Sequence, residues 1–523
     1  MKKPYLYLGL LILIFAFSPL SLLAQENKKI EIISAKELRL VEVNGKQARQ
    51  LLGNVKLKQG DVTLACERAL FYIHTNAVDA FQDVHIYQGN GSHIYSDSLK
   101  YDGETKQAEF FGRVKLTDPK LSLETDYLIY STNTRQAAYY SGAHVVGNNL
   151  DLISRKGYYY ADTRNAYFKD SVVVKGSNYS LFTDTLRYDI ESETSHFYGP
   201  TDIVAEGSNI YCESGWYNTN TDESLFGRHT VLYSEGQILK TDSLYYSQKT
   251  GYGKALAYFE WIDTTMDIML SGKKAVFYQK QESITATDSA LLTYLLDGDS
   301  LFLTGDTLIS NEDSLGNKQF FAYYNVKLYK SDLQGLCDSL SFSFADSLMR
   351  MYFDPVLWNT NNQMTGDTIT LTIKNQKLEL VELYPKGFIV NEASPNIYNQ
   401  IKGKHIYGYF KANELDKLLV KGNGESAYYG QDEDGKYVGL NVAKCSDMWI
   451  YMLDSELNRI KFLDKPDATF HPIQQINPSN FLFNAFKWRN AEQPKSKADL
   501  FKPSLITPQP IESSSDSTHH SEN

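Results

Sequence analysis

Cysteine is scarce in this chain. Four occur among 523 residues, at Cys66, Cys212, Cys337 and Cys445, too few for a scaffold held together by dense disulfides. Proline is scarce as well, at 14 residues, which excludes a collagen-like repeat and a proline-rich disordered chain. Basic residues fall short of acidic ones, 52 against 63, for a net charge of −11. That balance argues against a nucleic-acid binder, because phosphate contacts need Lys and Arg in excess. The ten His are scattered without an HExxH motif, and no GxSxG elbow or phosphate-cradling Gly-rich loop occurs. No catalytic residue, metal site or cofactor is therefore assigned, and the chain reads as a non-enzyme.

Long apolar runs are limited to one, at the start. Lys2 and Lys3 precede the uncharged stretch Leu6 to Phe17, Ser18-Pro19 breaks it, and Leu22-Leu23-Ala24 places a small residue before Gln25. That is the layout of a secretory signal peptide, with an uncleaved anchor as the alternative. The first Cys after the run is Cys66, too distant to carry a lipid anchor, which disfavours a lipoprotein. The expected product is exported and soluble outside the cytoplasm.

Aromatic residues are in excess: 38 Tyr, 26 Phe and 5 Trp, or 13% of the chain. Such a composition favours strands. Tyrosines at 72, 101, 130, 159, 188, 217 and 246 stand 29 residues apart, in copies such as Leu99-Lys100-Tyr101 and Leu128-Ile129-Tyr130. The step becomes 32 through Tyr278, Ser310 and Phe342, then returns to 29 at Leu371. A second run follows each core, as in Phe110-Phe111-Gly112-Arg113-Val114-Lys115-Leu116. Both runs alternate apolar and polar residues, the mark of half-buried strands. No 3.6-residue stripe interrupts them, so a parallel α/β sheet is not expected. One unit cannot bury its own apolar face, but stacked neighbours can. The fold class is therefore all-β, an elongated twisted β-jellyroll or solenoid-like stack of about 29-residue repeats.

The organisation expected is a signal peptide over 1–24, a β-repeat roll over 25–385, a C-terminal β extension over 386–476, a short helix or linker over 477–491 and a disordered tail over 492–523. Asn480 to Trp488 would supply the helix. An acidic residue recurs four positions before the repeat core, as at Asp97, Asp126, Asp184, Glu213, Asp242, Asp306, Asp338 and Asp367. Paired carboxylates can hydrolyse glycosides, but a ladder of acids in one register reads as a structural slot rather than one perturbed site. Cys212 and Cys337 occupy the phase held elsewhere by Thr125, Thr183 and Thr241. They read as small strand residues, and no disulfide is assigned.

The export signal, the apolar-Gly-x-Val strands and the Asp-x-Leu-x-Tyr strands resemble the OstA/LptA family of periplasmic lipopolysaccharide-transport proteins. Phe110 to Leu116, Leu52-Gly53-Asn54-Val55 and Leu123 to Tyr130 carry the likeness, which runs from about residue 30 to 385. The resemblance implies an open, twisted jellyroll whose apolar interior receives lipid A acyl chains. It implies rolls joined end to end through edge strands into a bridge from inner to outer membrane. The chain departs from the family in its length, and it lacks the long run of C-terminal strands of the outer-membrane barrel member.

Acyl chains require an apolar trough shielded from water, at about 25 cal/mol per Å2 buried. Residues two apart on a strand share a face, which nominates Val55 with Leu57, Leu70 with Tyr72, Val84 with Ile86, Leu99 with Tyr101, Val114 with Leu116, Leu128 with Tyr130 and Leu186 with Tyr188. The same faces would equally fill a dry solenoid core. The family resemblance favours the trough, and with it a lipid carrier that is periplasmic, either free or associated with the outer membrane. Its partners would be lipopolysaccharide and the bridge components at either membrane. Lys29 to Val43 alternates without Pro and would offer such a partner a free edge. The rival reading is a structural or adhesive β-solenoid at the cell surface.

Overall fold

The computed structural model describes residues 29–503, apart from 90, 297, 413, 454 and 455. The expected signal peptide lies outside these residues. The described chain is all-β, with 38 strands, five short 3-10 turns and no α-helix among the described residues. It divides into two compact units, residues 1–141 and 142–523. Within each unit the strands pair antiparallel, mostly with their neighbours in the chain, and one repeat is a pair of strands. In the first unit Ala77–Gln88 pairs with Val62–Tyr72 on one side and His93–Asp102 on the other.

A two-residue bulge bends alternate strands in the middle. Gln82 and Asp83 have φ of 67° and 50°, Gly112 and Arg113 have 70° and 42°, and in the second unit Arg228 and His229 have 54° and 51°. Pairing skips at each of them, as between Phe81 and Val84. Left-handed backbone is uncommon for residues other than Gly, so its recurrence is the physical content of the apolar-Gly-x-Val motif.

The recurring acid stands opposite that bulge. Asp97 Oδ1 lies 2.5 Å from Arg113 Nη2, Glu67 accepts from the Asn54 N–H at 3.4 Å, and in the second unit Asp306 accepts from Asn325 Nδ2 at 2.9 Å. Beside the acid is a small donor. Cys66, Ser96, Thr125 and Thr241 each donate their side chain to the carbonyl two residues on, as does Ser154, which precedes Arg155 instead. A thiol and a hydroxyl serve alike in this position, which explains why Cys and Thr interchange along the register. All four cysteines are buried free thiols. Burial pushes the Cys66 thiol up to about 11 and those of Cys212 and Cys337 up to about 12, so they stay protonated.

Residues on both sides of each bulge turn inward. In Gln107–Asp118, Ala108 and Phe110 before it and Val114 and Leu116 after it are buried. Leu51, Val55, Ala80, Val84, Leu99, Phe110, Val114 and Leu128, each at most 1% exposed, form the heart of the first unit.

In the second unit the hairpins continue past residue 385 as far as Asp467–Pro472. Of the short helix or linker expected after them, the helix is absent among the described residues. Asn480 to Trp488 is not a helix but an extended strap with a 3-10 turn at Pro478–Phe481. Its backbone groups bond to glutamine side chains instead. Gln400 donates to the Phe481 carbonyl (3.1 Å) and accepts from the Phe483 N–H (2.8 Å). Gln363 does the same with the Lys487 carbonyl (2.6 Å) and the Arg489 N–H (2.7 Å). Residues 492–503, expected in a disordered tail, continue the strap through the 3-10 turn Lys497–Phe501 and bury Leu500. The rest of the expected tail lies outside the described residues.

The strap crosses a wall rather than an edge. Gln334, Trp358, Gln363, Val390 and Gln400 stand opposite one another from strand to strand, so they share one face. Leu357, Met364 and Ile389 fill the other face. With the strap on one side and the core on the other, Val356–Asn359 is buried throughout.

Candidate functional site

The interior of the first unit contains a cavity of about 80 Å3. Leu57, Leu64, Ile86 and Ile94 line it from one side of the bulges, and Leu99, Tyr101, Phe110 and Tyr130 from the other. The bent strands thus place two apolar walls face to face around one space. Tyr101 is half-buried against it, while its neighbour Lys100 is exposed with its ammonium 5.8 Å from the Phe111 ring.

Among the nominated residues, Leu57, Ile86, Leu99, Tyr101 and Tyr130 meet at this cavity. Val55, Val84, Val114, Leu116 and Leu128 are buried in the same unit without lining it. Leu186 and Tyr188 are buried in the second unit, where burial pushes the Tyr188 hydroxyl up to about 12.

Leu70 and Tyr72 face the other way. Ala69 and Phe71 are the buried residues of that strand, and the Tyr72 hydroxyl donates to Asp79 Oδ2 at 3.0 Å. The cause is the turn closed by Gln88 and Ser92. It holds three residues, 89–91, where the next hairpin pairs Asp118 directly with Leu121 and leaves two. One extra residue moves the repeat register by one, and a shift of one exchanges the faces of a strand.

Leu64, Ile94, Val78 and Phe110 also line the cavity and were not nominated. Around Ile94 the alternation is obscured, because Tyr95 beside it is also a large hydrophobic residue. Tyr95 lies on the opposite face, its ring 4.3 Å from that of His85 in a stacked pair. His85 Nε2 and His93 Nδ1 are 3.0 Å apart in that patch, and burial followed by the His93 charge holds His85 below the usual imidazole range.

The N-terminal edge is open. Glu31–Ser34 and Glu37–Val43 both pair with Lys46–Gln59, and no other described strand pairs with either. Ile33, Leu38 and Leu40 are 55%, 51% and 80% exposed there. No group of three or more His, Cys, Asp or Glu capable of holding a metal occurs among the described residues.

These features define an all-β roll of hairpin repeats with an apolar interior. The family model described as OstA-like protein matches residues 27–184 and 171–242, a stretch that contains the repeat motifs Leu52 to Val55, Phe110 to Leu116 and Leu123 to Tyr130. Among solved structures the chain is similar to LptH, the LptA-homologous periplasmic component of the lipopolysaccharide transport device of Pseudomonas aeruginosa. Identity is 15% and the TM-score 0.21, over 27% of this chain and 99% of LptH. No curated protein matches.

Proposed function

We propose that this chain is a periplasmic carrier that holds the acyl chains of lipopolysaccharide in its roll and helps move them toward the outer membrane. The observation that carries this reading is the cavity in the first unit, lined by apolar side chains from two facing walls. The OstA-like match over residues 27–242 supports the same class of cargo. No covalent step is involved. Transfer of apolar surface from water into the roll supplies the driving force, at about 25 cal/mol per Å2, and the charged head stays in water because burying it is costly.

The size of the cavity sets a condition. About 80 Å3 is roughly half the volume of an engineered cavity that accepts benzene. An acyl chain therefore enters only as the two walls move apart. The bulges at Gly112-Arg113 and its counterparts are the bends about which such opening would occur.

Delivery needs neighbours on both sides. The exposed edge at Glu31–Ser34 and Glu37–Val43 would pair with a strand of a bridge component. Export would follow from the N-terminal signal, with cleavage before Gln25.

Lipid extraction from the exported protein, followed by mass spectrometry, tests the carrier reading. Acyl-bearing lipopolysaccharide should co-purify. Lipid-free protein that is cut by protease on intact cells would instead support the surface solenoid.

A further inference from the structure

A cavity of about 830 Å3 lies in the second unit between strap residues 489–503 and the strands Lys318–Lys330 and Leu333–Ser343. That is the size at which small organic ligands are held, roughly 300–1,000 Å3. Lys327 lines it and is only 8% exposed. Its ammonium donates to the Lys502 carbonyl, and no described carboxylate lies within ion-pair distance of it. A buried cation with one neutral partner is costly to hold. Burial draws its pKa below the usual lysine range, and the Asp499 carboxylate, beyond ion-pair distance, only partly opposes that shift.

Most other charges around the cavity answer one another. Arg489 reaches Asp354 Oδ2 at 3.1 Å and Glu492 Oε2 at 2.7 Å, and Lys502 Nζ lies 2.5 Å from Asp499 Oδ1. Asp338 accepts from the Ser339 hydroxyl. Lys495 bonds the neutral oxygens of Asn490 and Gln493. The four cations and four acids that line the cavity sum to zero, so selectivity would rest on the buried ammonium that no carboxylate meets.

We propose that this cavity binds a small anionic oxygen ligand, a phosphate or carboxylate group, with Lys327 as its anchor and strap residues 489–503 as its cover. The arriving anion takes the place of the Lys502 carbonyl on the ammonium. A hydrogen bond between two charged groups is about twice as strong as one to a neutral acceptor, so the exchange favours the ligand. The Gln363 clamp on Lys487 and Arg489 keeps the near end of the cover in place. This site is independent of the acyl-chain reading of the first unit.

The test is titration calorimetry of the full mature chain with inorganic phosphate, with citrate and with dihexanoyl phosphatidic acid. Binding of phosphate marks a free phosphate ligand, binding of citrate alone a carboxylate, and binding of the lipid alone a headgroup; each supports the site. Lys327→Met should weaken the bound probe by about tenfold or more, the loss of one charged hydrogen bond, and Lys327→Arg should restore much of it. Acylation footprinting of the unsubstituted protein reads the site without a variant. The bound probe should slow labelling of Lys327 and not of Lys497, whose ammonium sits over the Phe302 ring. No binding by any probe, undiminished binding by Lys327→Met, or unprotected Lys327 would overturn the proposal.

Discussion

Asp97 and Arg113 meet across neighbouring strands, Oδ1 to Nη2, at 2.5 Å, with both side chains largely in solvent. The contact matters for where it is rather than for its strength, since exposed ion pairs contribute little. It marks the bulge at which the strand Gln107–Asp118 bends, and Gly112 beside it has φ of 70°. A Cβ on Gly112 would also come within 2.4 Å of Asp97 Oδ2. Gly112→Ala should therefore destabilise the roll by about 1–2 kcal/mol, the left-handed penalty for a residue with a Cβ. Asp97→Asn should shift the urea midpoint much less. Equal shifts in the two variants would contradict a backbone origin for the motif.

The two faces of the strand Val62–Tyr72 should respond differently to truncation. Phe71 is 5% exposed and Leu70 faces away from the core. Phe71→Ala should cost about 3–5 kcal/mol, as large buried side chains do. Leu70→Ala should cost less than half of that by the same denaturant curves. The reverse order would restore the 29-residue register through the first hairpin.

The small-donor slot predicts that Cys212→Thr is tolerated, because Thr183 and Thr241 occupy the same phase. The pH dependence has a definite sign. Burial raises the folded thiol to about 12, above the unfolded value of about 8.5. Its contribution to stability is complete below the unfolded value and is lost as pH rises toward the folded one. Melting curves between those limits should show a smaller alkaline loss in Cys212→Thr than in the parent. Iodoacetamide at neutral pH should leave all four buried thiols unmodified until the protein unfolds.

Much of the architecture was legible because its repeat is short and chemically marked. Tyr101 and Tyr130, one period apart, both reach the cavity, and the Gly112-Arg113-Val114 motif is the bulge itself. Two things were hidden. The face of Leu70 and Tyr72 depends on one extra turn residue far along the chain, which local alternation cannot register. The strap was hidden because Gln334, Gln363 and Gln400 look like ordinary polar strand positions. Their partners in the strap lie between 81 and 159 residues away, and only the folded sheet brings them into line.

Export makes a separate prediction. Sequencing the secreted chain should give Gln25 as its first residue, from the signal before it. Recovery of Met1 in the membrane fraction would show an uncleaved anchor.

Photo-crosslinking in living cells tests acyl-chain binding most directly. A benzophenone amino acid in place of Tyr101 faces the apolar cavity of the first unit, and one in place of Lys100 faces solvent on the other side of the same strand. The account predicts a lipopolysaccharide adduct at position 101 and none at position 100. Equal labelling at both, or none at 101 in a folded and exported protein, would contradict it and leave the roll interior as a dry core.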